Sequence, residues 1–243
     1  MSIRIMSYNV CHYNFDQGAT GFPAAIINEK VMNLKEMLME TAPDLIGLQE
    51  DVQYCDTAQT KTSVDYLFNP VWTGTGTGQS TIRYKPEYVR KTQKLVQFST
   101  GRVYRRAIFL VDGKRLLFIS AHPSPFSGAE NQAKRKAEYN QLFTDIKALR
   151  WTYCVIVGDM NTFDPADKEN LKAICSANGF DMAIGTYLPW ITTCMGHDGK
   201  GTMSFDNILV SGNITIQTTK ALREWYPKLY SDHVPLIADL QLH

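Results

Sequence analysis

Short clusters of carboxylate, carboxamide and imidazole side chains are the residues of this sequence best suited to chemistry. The clearest is Gly158-Asp159-Met160-Asn161, which follows the unbroken apolar run at residues 153–157. If extended geometry persists past Met160, the Asp159 and Asn161 side chains point to the same side. Such a pair can hold a metal ion, a water molecule or a phosphate oxygen. On this stretch alone, a turn in which Asp and Asn hydrogen-bond the backbone is the more common explanation.

Similar side chains recur at the ends of other predicted strands. They are Asn9, Glu50, His122, Asp206 and the pair Asp232-His233. One polar residue at the end of a strand carries little information. Six such clusters indicate a site at one edge of a sheet assembly, where active sites of α/β proteins gather.

The elements that must position these residues alternate between strand and helix. Strands are predicted at residues 3–8, 44–48, 80–84, 94–98, 103–111, 116–121, 153–157, 204–210, 213–218 and 234–240. Asp112-Gly113 between two of them is a strong hairpin turn. Helices are predicted at residues 23–41, 128–149 and 166–177, where apolar residues recur at helical spacing. The glycine run at 74–78 lacks the Gly-Lys-Ser/Thr of a phosphate-binding loop and is predicted to be a mobile loop.

Composition sets broad limits on the function. The chain has 243 residues, 44% of them hydrophobic and 20% charged, and a net charge of +1, so any binding of a polyanion must come from local patches. Its five cysteines lack paired spacing, which favours a reduced, cytoplasmic protein. No apolar run approaches the roughly 18 residues of a membrane span, and no export leader is evident at the start. Because no linker or repeat divides the chain, we predict one domain over residues 1–243 and expect a monomer.

Six motifs occur in an order that resembles a known family. They are S-Y-N (7–9), L-Q-E (48–50), S-A-H-P (120–123), G-D-M-N (158–161), F-D-N-I-L (205–209) and S-D-H-V-P (231–235). This series is similar to that of the endonuclease/exonuclease/phosphatase family, metal-dependent phosphoesterases that include deoxyribonuclease I and exonuclease III. The resemblance implies an α/β fold, a four-layer α/β/β/α sandwich with two mixed β-sheets packed face to face and helices outside.

The resemblance also implies roles for the clustered residues. Glu50 is the expected main ligand of Mg²⁺, for which Mn²⁺ could substitute, and Asn9 and Asp232 complete the metal shell directly or through water. The expected catalytic residues are Asp159 for the attacking water, Asn161 for that water or a phosphate oxygen, Asp206 as partner of His233, and His122 as donor to the phosphoryl oxygen or leaving group. Whether one metal or two act, and whether Asp159 or His233 is the base, stays open.

The sequence also departs from the family pattern. In deoxyribonuclease I-like members an acidic residue before the 80–84 strand orients the first histidine, but Gly78 and Gln79 stand there, so the support of His122 is in question. The aromatic and basic loop of abasic-site endonucleases is missing too, which argues against that specialised activity. Cys194-x-x-His197 superficially resembles half of a zinc site, but no second pair lies nearby.

The substrate is the least determined property. Basic residues that could meet a phosphate backbone are Arg102, Arg106, Lys134 and Arg135, although the run 134–136 is equally well explained as a solvated helix face. The first hypothesis is a Mg²⁺-dependent nuclease that cleaves DNA or RNA. The alternative is a phosphoesterase for small or lipid-linked phosphates, of the inositol phosphate or sphingomyelin type. A catalytically silent binding module is a third hypothesis, which the intact set of catalytic residues disfavours.

Overall fold

The described part of the chain contains twelve strands, three α-helices and a 3₁₀ helix at Arg223–Lys228. A computed structural model describes residues 1–11, 24–51, 68, 71–75, 78–196, 199–229 and 231–243. In chain order the strands are β1 Ser2–Asn9, β2 Leu45–Asp51, β3 Thr73–Thr75, β4 Gly78–Tyr84, β5 Val89–Gln97, β6 Val103–Val111, β7 Lys114–Ala121, β8 Tyr153–Asp159, β9 Phe180–Met182, β10 Asp206–Ser211, β11 Ile214–Ala221 and β12 Leu236–Leu242. The helices are α1 Ala24–Thr41, α2 Ala129–Lys147 and α3 Pro165–Ala177.

The strands form two mixed sheets of six strands each. The first has the order β11-β12-β1-β2-β4-β3 and the second β5-β6-β7-β8-β10-β9. Each contains one parallel pair, β1 with β2 in the first sheet and β7 with β8 in the second, among antiparallel neighbours. The two sheets therefore share a similar arrangement, with central parallel strands flanked by an antiparallel strand, β12 or β10.

The inner faces of the two sheets pack against each other. Apolar side chains from both sheets form one buried cluster, in which Ile5 and Leu236 of the first sheet join Phe118 and Val155 of the second. Gly47 allows a close approach, since a Cβ atom there would lie 2.1 Å from Val157 Cγ2. This interface is the centre of the molecule.

The outer faces carry the helices. Residues of α1 such as Met37 and Leu38, together with Trp225 of the 3₁₀ helix, pack on the first sheet. On the second sheet, the buried residues Leu142 of α2 and Leu171 of α3 belong to one cluster with Ile156 of β8. The layers thus follow the predicted order of helix, sheet, sheet and helix, and the fold class is confirmed.

Most predicted elements are present, with shifted ends and two differences. The Asp112-Gly113 turn joins β6 to β7, with Val111 opposite Lys114 and positive φ at both turn residues, as a tight hairpin requires. The glycine run is not simply a loop, because Thr73–Thr75 pairs with β4. The segment after α3, in which the sequence predicts no regular structure at 180–201, contains the short strand β9. For residues 51–69 the sequence predicts a short helix and a loop, and this segment lies almost wholly outside the described residues. Among the described helices, none is long and apolar enough to cross a membrane.

Candidate active site

The predicted polar clusters meet at one edge of the two packed sheets. Asn9 ends β1, Asp159 ends β8, and His122 follows β7 directly. Because β10 is antiparallel to β8, it begins at this edge, and its first residue, Asp206, lies opposite Asp159. Asp232 and His233 precede β12, which is antiparallel to β1. The topology therefore gathers side chains that are up to 224 positions apart in the sequence, from Asn9 to His233.

Asp159 lies at the centre of this group. Its Oδ2 atom accepts a hydrogen bond from Asn9 Nδ2 at 3.0 Å, and its Oδ1 atom accepts one from the backbone N–H of Asn161 at 2.9 Å. The Nε2 atoms of His122 and His233 lie 3.6 Å and 3.5 Å from Asp159 Oδ2. The carboxylate thus has two imidazoles on one oxygen, a geometry suited to holding a water molecule and receiving its proton.

His233 is oriented by Asp206. The Nδ1–H of the ring donates to Asp206 Oδ2 at 2.8 Å, and since a carboxylate accepts hydrogen bonds, the proton must lie on Nδ1. Asp206 is itself positioned by Thr193, whose Oγ1 accepts the backbone N–H of Asp206 at 2.9 Å. This pairing directs Nε2 of His233 towards Asp159.

Burial and neighbouring charges shift the pKa values of Asp159 and His233. Burial raises the pKa of Asp159 to about 6, although the charge of His233 acts in the opposite direction. Burial by itself lowers the pKa of His233, but the charges of Asp206 and Asp159 outweigh it and hold that pKa well above its usual value. Asp159 therefore has the affinity for a proton that a base needs near neutral pH, next to an imidazole that favours its charged form.

The support of His122 comes from a residue that sequence reasoning assigned elsewhere. Arg102 donates to His122 Nδ1 at 2.8 Å. A guanidinium has no acceptor, so Nδ1 must be the acceptor and Nε2 must carry the proton of a neutral ring. That Nε2 lies 3.6 Å from both Glu50 Oε1 and Asp159 Oδ2. Arg102, predicted to bind substrate, thus supports His122 by donating to Nδ1, where an acidic partner would accept the Nδ1–H.

Two of the six described non-glycine residues with positive φ are predicted site residues. Glu50 has a φ of 56° and Asn161 a φ of 51°, both in the left-handed region. The Asn161 side chain donates to the carbonyl oxygen of Pro123 at 3.0 Å, which ties the loop after β8 to the loop after β7. Residues held in such conformations cost about 1–3 kcal/mol each and are common at functional sites.

Comparison with known proteins identifies the arrangement. A model of the endonuclease/exonuclease/phosphatase family matches residues 6–233. The chain belongs to this family. As a member, it is a metal-dependent phosphoric ester hydrolase, so the predicted family and the predicted enzyme class are confirmed.

Solved structures of the endonuclease/exonuclease/phosphatase fold resemble the chain over its whole length. A family protein from Bacteroides thetaiotaomicron has a TM-score of 0.77 at 17% identity and covers 100% of this chain and 98% of its own. D. rerio TDP2 complexed with a single-strand DNA product has a TM-score of 0.71 at 15% identity, covering 99% of both chains. The human Nocturnin catalytic domain with bound sulfate has a TM-score of 0.70 at 17% identity, covering 100% of this chain and 95% of its own. These similarities show the fold. No curated protein sequence matches the chain.

Family enzymes use divalent metal ions, and the site contains suitable ligands. The side chains of Glu50 and Asp232 are 25% and 22% exposed, in contrast to 3% for Asp159 and 0% for Asp206. Asn9 Oδ1 accepts the N–H of Cys11, and the charges of Asp232 and Glu50, added to burial, raise the pKa of the Cys11 thiol to about 12. Asn9, Glu50 and Asp232 lie beside Asp159, His122 and His233 respectively and offer oxygen atoms, the donors that Mg²⁺ and Mn²⁺ prefer.

Two of the four predicted substrate-binding residues, Arg102 and Arg135, make contacts within the fold. Arg135 is 0% exposed and its guanidinium bonds Asp167 and two backbone carbonyls, so the prediction that it binds substrate is wrong. The signal that could have shown this is helical spacing, because Arg135 lies four and seven positions before the buried Tyr139 and Leu142. Lys134, next to it, is partly exposed and pairs with Glu130 at 2.7 Å, and Arg106 is half-buried on β6.

Proposed function

We propose that the chain is a Mg²⁺-dependent phosphodiesterase that cleaves nucleic acid by attack of water on phosphorus. The observation that carries the proposal is the position of Asp159, a buried carboxylate with a pKa raised to about 6 that lies within 3.6 Å of two imidazole nitrogens. Binding a metal ion would need only oxygen ligands. Transferring a proton needs a base as well, and Asp159 with its two oriented imidazoles provides one.

Each residue of the site has a distinct task in this proposal. Asp159 orients the attacking water and takes its proton. His233, charged and paired with Asp206, stabilises the negative charge that develops, while the Nε2–H of His122 donates to a phosphoryl oxygen. Asn161 holds the water or an oxygen of the phosphate. Glu50, Asp232 and Asn9 hold the cation, which when bound neutralises the non-bridging oxygens.

Two observations support nucleic acid as the substrate. The structurally similar D. rerio TDP2 is complexed with a single-strand DNA product. In this chain Phe126, four residues after His122, is 70% exposed, and its φ of 73° is unusual for an aromatic residue. An exposed ring beside the site can stack on a base, which is worth about 1–3 kcal/mol. The four described free cysteines support the cytoplasmic, reduced setting included in the proposal.

The second candidate is a small or lipid-linked phosphoester. It is favoured by the orientation of the basic residues, since Arg135 points into the interior and Arg102 is used by His122. With a net charge of +1, the chain then has few cations to offer to a long phosphate backbone. A small phosphoester needs only the metal and the polar cluster.

An activity panel tests the proposal. Plasmid DNA, single-stranded DNA, RNA and small phosphoesters are incubated with the protein and graded Mg²⁺ or Mn²⁺. We expect metal-dependent cleavage of nucleic acid, and Glu50→Gln should need roughly tenfold more Mg²⁺ for half-maximal rate because one anionic ligand is lost. The control is Glu40→Gln, an exposed acid of α1. Faster turnover of small phosphoesters than of any oligonucleotide would reverse the order of the two candidates, and equal metal requirements of Glu50→Gln and the wild type would remove Glu50 from the metal site.

A further inference from the structure

One side of the site contains a group of ligands that does not suit magnesium. Cys194 Sγ, a carboxylate oxygen of Asp232 and a ring nitrogen of His233 all lie within 4.8 Å of one another. The Cys194 sulfur is 3.9 Å from Asp232 Oδ2, and His233 Nε2 is 4.0 Å from Asp232 Oδ1. Thiolate and imidazole are soft or borderline ligands, which select zinc-like cations rather than Mg²⁺.

The backbone holds these ligands on one face. Cys194 pairs with His233 in an isolated antiparallel bridge, and the flanking hydrogen bonds, Met195 N to Asp232 O and Val234 N to Thr193 O, are both 2.7 Å. Directly opposed residues in an antiparallel pair project to the same face with Cβ atoms about 4.5–5.5 Å apart. The position of the thiol beside the imidazole is therefore set by the main chain.

The imidazole already has the outer partner that metal-binding histidines have. Asp206 accepts the Nδ1–H of His233, which fixes the tautomer and directs Nε2 at the cluster, as in the carboxylate–histidine–zinc arrangement. In a tetrahedral zinc site the ligand atoms are roughly 3.5 Å apart, given metal–ligand distances of about 2.0–2.3 Å. Because the three atoms lie within 4.8 Å of one another, each pair needs to close by at most about 1.3 Å to reach that geometry.

A second thiol, that of Cys11, also interacts with Asp232. Cys11 hydrogen-bonds Asp232, and both cysteines are buried, at 8% and 7% exposure. Neither thiol has a part in the proposed hydrolysis. Two buried sulfurs beside one expected magnesium ligand are unexplained by the chemistry of a hard cation, whereas they are the usual companions of a softer one.

We propose that Cys194, Asp232 and His233 form an inhibitory site for Zn²⁺, with Cys11 as the nearest additional donor. Binding releases the proton of the Cys194 thiol, and that of Nε2 where the ring is charged, to solvent. The ion removes His233 from its interaction with Asp159 and Asp232 from the magnesium shell. His197 of the Cys194-x-x-His197 spacing lies outside the described residues. Among the described residues, the histidine beside Cys194 is His233, across a strand pairing.

The experiment measures metal binding first and hydrolysis second. The full chain is titrated with Co²⁺, which reports thiolate coordination by a charge-transfer band, and Zn²⁺ is then added to displace it. We expect the band in the wild type and in Cys175→Ala, a buried cysteine of α3. Cys194→Ala should lose it and should bind Zn²⁺ at least tenfold more weakly in competition with a chromophoric chelator. If Cys194→Ala does not fold, Cys194→Ser, which keeps the size of the side chain, is used in its place.

Failure of this inference can be distinguished from failure of the proposed function. The cobalt titration needs no substrate, so its result stands whatever the chain hydrolyses. No band in the wild type, or an unchanged band in both Cys194 variants, overturns the zinc site. Where activity is found, Zn²⁺ should inhibit it in excess Mg²⁺, and Cys194→Ser should need at least tenfold more Zn²⁺ for half inhibition of its own zinc-free rate. Equal inhibition of the two proteins also overturns the inference.

Discussion

Two buried clusters of charged residues lie next to each other behind and within the candidate site. The Asp159 cluster consists of Asp159, Asp206 and His233; the Arg135 cluster consists of Arg135, Asp167 and Glu138, all at most 1% exposed. Both contain acids and a base removed from water. They differ in how completely their hydrogen bonds are made, and that difference separates a structural cluster from a reactive one.

In the Arg135 cluster all three side chains are well bonded. Arg135 bonds both oxygens of Asp167, at 3.1 Å and 2.7 Å, and the carbonyls of Ser124 and Phe126. Glu138 accepts bonds from the N–H and hydroxyl of Ser124, both at 2.7 Å, and from Thr100. The cluster joins the loop that carries His122 to the start of α3, just after Asn161. Buried charges that are fully paired in this way fix a geometry.

The Asp159 cluster is left incomplete. Asp206 Oδ1 is buried without a hydrogen-bonding partner, the imidazole contacts of Asp159 are 3.5–3.6 Å long, and Asn161 has a strained backbone. These features reduce stability, and they leave hydrogen-bonding capacity for a substrate, a water or an ion. We infer that the Arg135 cluster holds the loops in place and that the Asp159 cluster carries out the chemistry.

The largest expected effect is that of Asp159→Asn, which acts on activity and stability in opposite directions. Asparagine keeps the shape but cannot take a proton, so turnover should fall by about 10²–10⁴-fold. The folded pKa of about 6 lies above the usual value near 3.9, so the ionised carboxylate costs stability above pH 6, and this cost disappears as the pH falls below about 4. Metal-free Asp159→Asn should therefore be more stable than the wild type at pH 7.5, by at most about 3 kcal/mol.

Denaturant unfolding at pH 7.5 and pH 4, together with turnover in Mg²⁺, checks both halves. Asp181→Asn is the control, since this carboxylate is exposed on β9. A mutant that is both active within a few-fold of wild type and less stable would place Asp159 among the structural residues and break the comparison.

The second-largest expected effect is on stability and tests the Arg135 cluster. Arg135→Ala leaves Asp167 buried and unpaired, and breaking a buried ion pair on one side costs about 3–5 kcal/mol. The loss should appear as a lower urea midpoint at pH 7.5. Lys136→Ala, the exposed neighbour, should change stability by no more than about 0.5 kcal/mol. A loss below about 1 kcal/mol for Arg135→Ala would mean that the loops are held by other contacts.

How well the sequence predicts these two clusters depends on whether a sequence pattern shows where each residue lies in the fold. Asp159, Asp206 and His233 could be predicted because each lies at the end of a recognisable strand, and strand order brings the ends to one edge. The burial of Arg135 was missed because the basic run was considered by itself, although its helical spacing to Tyr139 and Leu142 places Arg135 on the buried face. Its partner Asp167 is 32 positions away on another helix.

The contact between Arg102 and His122 was available in the sequence but was missed. The Asp112-Gly113 turn fixes the register of β6 and β7, with Tyr104 opposite Ala121. Continuing that register places His122 opposite Val103, next to Arg102. The family pattern suggested an acidic partner for His122 at Gly78 or Gln79, which lie on a different strand. The register set by the Asp112-Gly113 turn would instead have identified Arg102 as the contact of His122.

A third, smaller effect concerns this contact. Arg102→Glu replaces a donor by an acceptor, so His122 should change from the Nε2–H to the Nδ1–H tautomer and lose its donor towards the site. Partners of this kind are worth roughly 10–100-fold in activity, and the low end is expected because His122 is one of several donors. Imidazole ¹⁵N shifts report the tautomer and steady-state kinetics report kcat. The control is Lys94→Gln, an exposed residue of β5. An unchanged tautomer would show that the guanidinium does not set it.

The smallest effect separates Lys134 from its buried neighbour Arg135 and bears on the substrate. The Lys134 side chain is 43% exposed and its i,i+4 pair with Glu130, itself 83% exposed, is worth only about 0.3–0.5 kcal/mol. Lys134 can therefore exchange Glu130 for a phosphate at little cost, whereas Arg135 cannot leave Asp167.

If Lys134 contacts a nucleic-acid backbone, Lys134→Ala should reduce the slope of log affinity against log salt by about 0.7–0.9, and Arg106→Ala should do the same. Binding of a single-stranded oligonucleotide across a salt series measures it, with Lys147→Ala at the other end of α2 as the control. A flat salt response in the wild type would favour the small phosphoester as substrate, because such a substrate releases few counterions. Slopes that neither substitution alters would mean that nucleic acid binds to another face of the site.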